Sequence, residues 1–253
     1  MKSPLLLSLV LCVCAAAQTA PTTAPVEITA EPFHHLVLKN KKVRVFSVEV
    51  PPKASTLMHR HKNDYVFVTL GDSDVRNERQ GEKPAELRLS DGDVRFTKGG
   101  FAHIARNLRD VPFRNVTIEV RKPARAIVSL ATCDISEGIE CGFCNISAEG
   151  KQKCDWPGDM QALPELEKKD QDYGVYQFSV HLEPGSTTGM HTHKVDHLVV
   201  AVSDVEFNNE VQGKPAETIR LKAGEVRWVK GGTTHSLTNT GKQPAWFVSF
   251  EFK

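Results

Sequence analysis

The sequence predicts an all-β chain built from two β-barrels that arose by internal duplication and are joined by a cysteine-rich connector. Three observations carry this. Two halves of the chain repeat each other at a constant offset of 132 residues. Each half consists of short β-branched or alternating runs separated by Gly, Pro, Asn and Asp clusters, at a spacing typical of sandwiches and jelly rolls. Neither half shows a convincing helical period.

The first residues read as an address. Lys2, the apolar run Leu5 to Val13 and the small residues Ala15-Ala16-Ala17 follow the order of a secretory signal peptide over residues 1–17. A secreted or periplasmic location is therefore expected. Cys12 and Cys14 lack the small preceding residue that lipoprotein processing needs, so no lipid anchor is expected. Cleavage after Ala17 leaves a chain of zero formal charge with four cysteines. Residues 18–30 then read as a flexible leader, rich in Thr, Ala and Pro at their start.

The repeat sets the domains. Val43-Arg44-Val45-Phe46-Ser47-Val48 answers Val175-Tyr176-Gln177-Phe178-Ser179-Val180, and Met58-His59-Arg60-His61 answers Met190-His191-Thr192-His193. The offset continues through Lys98-Gly99-Gly100, His103 and Asn107 onto Lys230-Gly231-Gly232, His235 and Asn239, and still holds at Glu119 and Glu251. Barrel 1 is placed at 31–122 and barrel 2 at 172–253. Strands are expected at 43–50, 65–70, 94–97 and 115–120, and again at 175–182, 197–202, 226–229 and 245–252. The connector, 123–171, has no counterpart and holds a single plausible helical turn at 164–169.

Composition narrows the partners. The chain has 253 residues, 32 Lys plus Arg against 31 Asp plus Glu, and a pI near 7.7. With no basic field, nucleic acid is disfavoured as a partner. No apolar stretch is long enough for a bilayer span, so a membrane-embedded chain is not expected. A small-molecule ligand or substrate remains, with a homo-oligomer as an open alternative.

Histidines carry the chemistry. In one extended strand His191, His193 and His197 share a face and Asp196 is turned away; His59, His61 and Tyr65 do the same in the first copy, excluding Asp64. His103 and His235 lie on a later strand that a barrel can bring into each cluster. A lone inward histidine is usually a hydrogen-bonded core residue, but a repeated cluster is a ligand set for Fe(II), Cu, Ni or Zn. Tyr65 has two readings: a ring filling the barrel, or a hydroxyl that donates a proton or stabilises an oxyanion beside the metal. His34-His35 lacks a partner in the second copy and is expected on an edge strand. Asp64, Asp196, Arg95 and Arg227 are read as turn contacts or outer ion pairs.

The spacing His-x-His, three residues, a fourth position, and then Gly92 to Asn107 with His103 near its end resembles the paired motifs of the cupin superfamily. The same pattern recurs from Gly224 to Asn239. The chain thus resembles a bicupin, similar to germin-like, oxalate-degrading and flavonol-dioxygenase relatives. Where cupins usually carry a glutamate ligand this chain has Tyr65 and His197, and the usual proline is Lys98 and Lys230. The resemblance implies metal at His191, His193, His197 and His235, and at His59, His61 and His103. The missing carboxylate points away from the manganese site of oxalate-degrading relatives and toward a dioxygenase-type oxidoreductase using Fe or Cu, with Ni, Zn and Mn as alternatives. Two other readings stand beside it: a non-catalytic metal or small-ligand binding protein, and a structural bicupin of the seed-storage kind.

Cys133, Cys141, Cys144 and Cys154 lie in the connector. In an exported chain they are expected to form two disulfides rather than a zinc knuckle, with three pairings open. Asn115-Val116-Thr117 and Asn145-Ile146-Ser147 fit the glycosylation triplet.

Overall fold

The computed structural model describes residues 24–121, 126–134, 140–146, 152–155 and 174–252. Lobe 1 contains β1 (Val26–Glu27), β2 (His34–Lys39), β3 (Val43–Val50), β4 (His59–His61), β5 (Tyr65–Leu70), β6 (Ser73–Arg79), β7 (Ala85–Leu89), β8 (Val94–Thr97), β9 (Phe101–Asn107) and β10 (Phe113–Val120). The connector supplies β11 (Ala126–Asp134), β12 (Glu140–Ile146) and β13 (Gln152–Asp155). Lobe 2 contains β14 (Gly174–Leu182), β15 (His191–His193), β16 (His197–Ala201), β17 (Val205–Val211), β18 (Glu217–Leu221), β19 (Val226–Val229), β20 (Thr233–Asn239) and β21 (Ala245–Phe252). One 3-10 turn, Ile28–Ala30, is the only helical element among the described residues. No helix among them is long and apolar enough to cross a membrane.

Each lobe is two sheets. Lobe 1 pairs the order β1-β4-β9-β6-β7 with β2-β3-β10-β5-β8; lobe 2 pairs β15-β20-β17-β18 with β13-β12-β11-β14-β21-β16-β19. The eight expected strands coincide with β3, β5, β8, β10, β14, β16, β19 and β21. Each of those strands presents an apolar row to a core, and for most of them that core is shared between the lobes. On β10, Phe113, Asn115 and Thr117 face the barrel interior, while Val116, Ile118 and Val120 join a core shared with lobe 2. The same core takes Val66, Val68 and Leu70 from β5, Leu198 and Val200 from β16, and Val248, Phe250 and Phe252 from β21. A sheet covered on both sides has no water-facing row to break its apolar run.

Close fit between the lobes is built around two glycines related by the repeat. A Cβ on Gly92 would sit 1.9 Å from Trp246 Cζ2, and the residue's φ of +72° is itself one that side chains rarely adopt. On the other lobe, a Cβ on Gly224 would lie 2.9 Å from Leu70 Cδ1. Lys42 Nζ adds a 2.8 Å hydrogen bond to the Phe252 carbonyl across the same seam.

Several expectations change. The leader expected over 18–30 is ordered by Val26: β1 pairs in parallel with β4, opposing Val26 to His59, and Ile28 is fully buried. Asn115 is buried and accepts a hydrogen bond from Thr117 Oγ1 at 2.8 Å, so its glycosylation triplet is closed inside the folded barrel. Within the connector, β11 pairs in parallel with β14, and the β13-β12-β11 run extends the lobe 2 sheet. The helical turn expected at 164–169 lies outside the described residues, as does the signal segment.

Candidate metal centres

The histidines come together differently from the one-strand reading. His191 and His193 lie on β15, and His197 lies on β16 in the facing sheet. Likewise His59 and His61 are on β4, and Tyr65 is on β5. The chain crosses between sheets at residues 62–64 and 194–196, and Asp64 and Asp196 pin these crossings. Asp64 accepts a hydrogen bond from the Gly99 N–H at 2.8 Å and Asp196 from the Gly231 N–H at 3.0 Å. Both aspartates therefore serve turns between two strands, where parity along a single strand does not apply. Arg95 pairs with Asp93 and Arg227 with Glu217, both at the surface.

The later histidine arrives on the neighbouring strand. Antiparallel register opposes His59 to His103 and His191 to His235. Ring centroids are 4.4 Å apart in the first pair and 4.7 Å in the second. His61 lies 5.1 Å from His59, and His193 lies 4.8 Å from His191. Three rings thus converge in each lobe.

Hydrogen bonds decide which nitrogen each ring offers. In lobe 2, Nδ1 of His191 faces the Gly189 carbonyl at 3.0 Å, Nδ1 of His193 faces Glu251 Oε1 at 2.6 Å, and Nδ1 of His235 faces Asn209 Oδ1 at 2.7 Å. In lobe 1, Nδ1 of His59 faces the Leu57 carbonyl at 2.9 Å and Nδ1 of His103 faces Asn77 Oδ1 at 2.7 Å. His61 Nδ1 lies 3.3 Å from Glu119 Oε1. Five of the six Nδ1 atoms meet oxygen acceptors, which places the ring proton there and leaves Nε2 as the bare lone pair, while His61 Nδ1 makes no hydrogen bond.

Three of those Nε2 atoms lack protein partners. The Nε2 atoms of His59, His103 and His235 are buried without a hydrogen bond. His191 Nε2 and His193 Nε2 stand 2.9 Å apart. Two lone pairs at that distance repel unless a proton or a cation lies between them, so the donor set fits a metal ion. The donor atoms of His191, His193 and His235 all lie within 4.8 Å of one another, and so do those of His34, His59 and His61. Both groups can hold a metal, and the expected ligand His103 lies beside the lobe 1 group without being one of its three.

Burial keeps these rings unprotonated. It pushes His59 down to about 4, His197 and His235 down to about 3, and His61 and His103 well below the ordinary 6.5, with neighbouring imidazoles adding repulsion. Glu119 is fully buried, and burial raises its carboxyl although the Arg44 guanidinium, bonded to it through Nε at 2.9 Å and through Nη2, pulls the other way.

Tyr65 and His197 occupy equivalent places. Tyr65 stacks on His61 at 4.0 Å, and His197 stacks on His193 at 3.8 Å. His197 lies outside the lobe 2 group of three, and its Nδ1 is buried without a partner. Burial pushes the Tyr65 phenol up to about 12, against a hydrogen bond with Thr97, so the hydroxyl keeps its proton. Tyr65 also lines a cavity of about 50 Å³ beside the lobe 1 histidines.

His34 is on an edge strand, as expected, but its side chain is buried and lines the lobe 1 cavity. Its partner Glu31 carried no signal in the sequence. Asn77 and Asn209 were also missed, although they sit at the repeat offset and orient equivalent rings. Glu119 and Glu251 were visible as repeated positions without a role.

The fold is that of the bicupins. One similar structure is AerE from Microcystis aeruginosa, with a TM-score of 0.51 at 10% identity, covering 88% of this chain and 98% of that one. Oxalate decarboxylase from Bacillus subtilis is similar with a TM-score of 0.51 at 13% identity, covering 83% of this chain and 68% of that one. Another oxalate decarboxylase structure reaches a TM-score of 0.54, also at 13% identity and over the same shares. No protein-family model matches the chain, and no curated protein sequence matches it.

Proposed function

We propose that the protein is an exported, metal-dependent bicupin that carries out oxygen-dependent oxidation of a small organic molecule in lobe 1. One observation carries the reading: five of the six clustered histidines are held through Nδ1 by oxygen acceptors, and in each lobe three imidazole donor atoms lie within 4.8 Å of one another. Neutral imidazoles suit Fe(II), Cu, Ni and Zn, with Mn the less favoured alternative. An ion held by His59, His61 and His103 supplies a Lewis acid and, for Fe or Cu, electron exchange with dioxygen.

The chain's own residues supply the rest. The cavity gives room for a molecule of few heavy atoms. Val48, Phe67, Leu87 and Leu89 make its apolar wall. The Tyr65 hydroxyl, protonated at neutral pH, is a donor for an oxygen that gains negative charge. Asn77 and Glu119 hold ring orientation. Lobe 2 favours a second reading. His191 and His193 there are only partly buried, which suits a site that takes up or stores a cation without turnover.

Elemental analysis of the purified protein, followed by oxygen uptake on diketones, flavonols, thiols and oxalate, tests both readings. Transition metal in both lobes and uptake on at least one substrate are expected, with uptake lost in His59→Ala. Metal without uptake on any substrate supports the storage reading. His197→Ala is expected to leave metal occupancy unchanged, because His197 stacks on a donor rather than joining the group of three.

Export also bears on the connector. Register opposes Cys133 to Cys141 and Cys144 to Cys154. Directly opposed positions in antiparallel strands have Cα atoms roughly 4.5–5.5 Å apart, inside the disulfide range. Cys144 opposes Leu130 on β11, three positions from Cys133, or roughly 10 Å along the strand. Of the three pairings, Cys133–Cys141 with Cys144–Cys154 is therefore expected. Peptide mapping of the unreduced protein checks it, and a peptide joining β11 to β13 would refute it.

A further inference from the structure

We propose that His34, delivered by the N-terminal segment and locked by Glu31, is a fourth nitrogen donor of the lobe 1 metal centre. This rests on the metal reading above and deepens it: the two lobes would hold metal through different ligand sets, four imidazoles in lobe 1 and three in lobe 2.

The Glu31–His34 pair is a built arrangement. Glu31 is 2% exposed. One of its oxygens, Oε2, meets His34 Nδ1 at 2.5 Å and accepts the Phe33 N–H at 2.9 Å; the other accepts the Leu57 N–H at 3.2 Å. With Nδ1 committed to the carboxylate, the atom His34 has left to offer is Nε2. The His34 ring lies 4.7 Å from that of His59 and 6.1 Å from that of His61. Its donor atom falls within 4.8 Å of theirs. A carboxylate behind a histidine whose other nitrogen faces a metal fixes the ring and raises its basicity.

The segment is also positioned for the task. β1 runs parallel to β4, and the Val26 N–H bonds to the Met58 carbonyl at 2.9 Å, immediately before His59. Glu31 bonds Leu57 from the other side. The segment that carries His34 is therefore stitched to the strand that carries His59 and His61. The repeat offset places Leu163 and Leu166 where Glu31 and His34 stand, so the second copy has neither group in its sequence. Lobe 1 thus has in Glu31 a buried carboxylate behind its rings that can offset the charge of a divalent ion where the usual glutamate ligand has become Tyr65, whereas Glu119 is already paired with Arg44.

The test uses the full-length protein carrying His191→Ala and His193→Ala, so that lobe 1 alone is read. Cu(II) is titrated in, and affinity and the electron paramagnetic resonance spectrum are recorded. Adding His34→Gln together with Glu31→Gln removes the donor without leaving a buried charge. This is expected to weaken Cu(II) binding by about 10–100-fold and to change the nitrogen hyperfine pattern, with one ion still bound. Glu31→Gln alone is expected to give a smaller loss in affinity with the same hyperfine pattern as the parent. Unchanged affinity and spectrum in the double variant, with binding lost in His59→Ala, overturn this proposal alone. A parent lobe 1 that takes up no Cu(II) overturns it together with the metal reading.

Discussion

Truncating Glu119 to alanine is expected to lower folding stability by about 3–5 kcal/mol, whereas the same change at Glu251 is expected to cost no more than about 1.5 kcal/mol. The two glutamates are equivalent in the repeat, and both face the second histidine of a His-x-His pair. Their surroundings differ. The Glu119 side chain is fully buried and Arg44, 18% exposed, depends on it for a counter-charge. Removing Glu119 strands a guanidinium inside the barrel. Glu251 is 21% exposed and its partner His193 is 13% exposed. The place of Arg44 is taken by Tyr176 in the repeat. Loss of Glu251 leaves no guanidinium without its carboxylate. Urea unfolding of both variants without metal measures the difference, and equal costs would contradict the assigned role of Arg44.

The metal-free protein is expected to lose stability steadily as pH falls from 6.5 toward 4. The folded-state values of His59, His61, His103, His191, His197 and His235 are all depressed. Between those values and 6.5 the unfolded chain binds protons that the folded chain does not, so stability is present above 6.5 and lost on acidification. For His59 alone, the drop from 6.5 to about 4 corresponds to about 3 kcal/mol. The rings are neighbours, so their contributions are not additive. Glu119, raised by burial, acts in the opposite direction but is one group against six. The interval from pH 6.5 to 5 isolates the imidazoles, because ordinary carboxylates remain ionised there. Flat unfolding free energy across that interval would show that these rings are not desolvated.

Much of the fold was legible because the duplication is so regular. Six of the eight strands read from the sequence are mostly buried, and the other two, β8 and β19, pack Val94, Phe96, Val226 and Trp228 against the shared core, so their apolar residues are hard to miss. Strands such as β7, Ala85–Leu89, escaped because the strand is mostly exposed and sits at a sheet edge. The His-x-His pairs were legible as a chemical pattern, yet parity along one strand was the wrong reason for their convergence. They meet because β4 and β15 lie beside β9 and β20. The groups that orient the rings were out of reach for a related cause. Asn77 lies 26 residues from His103 and meets it only through the register of β6 with β9. His34 and Glu31 fall in a stretch with no repeat partner, where the strongest available signal is silent.

The apolar seam around Gly92, Trp246, Gly224 and Leu70 bears on how such a chain came to exist. A single copy of the repeat would expose that β-sheet face to water, inviting aggregation. Held in one chain, the two copies cover each other's apolar face at any protein concentration.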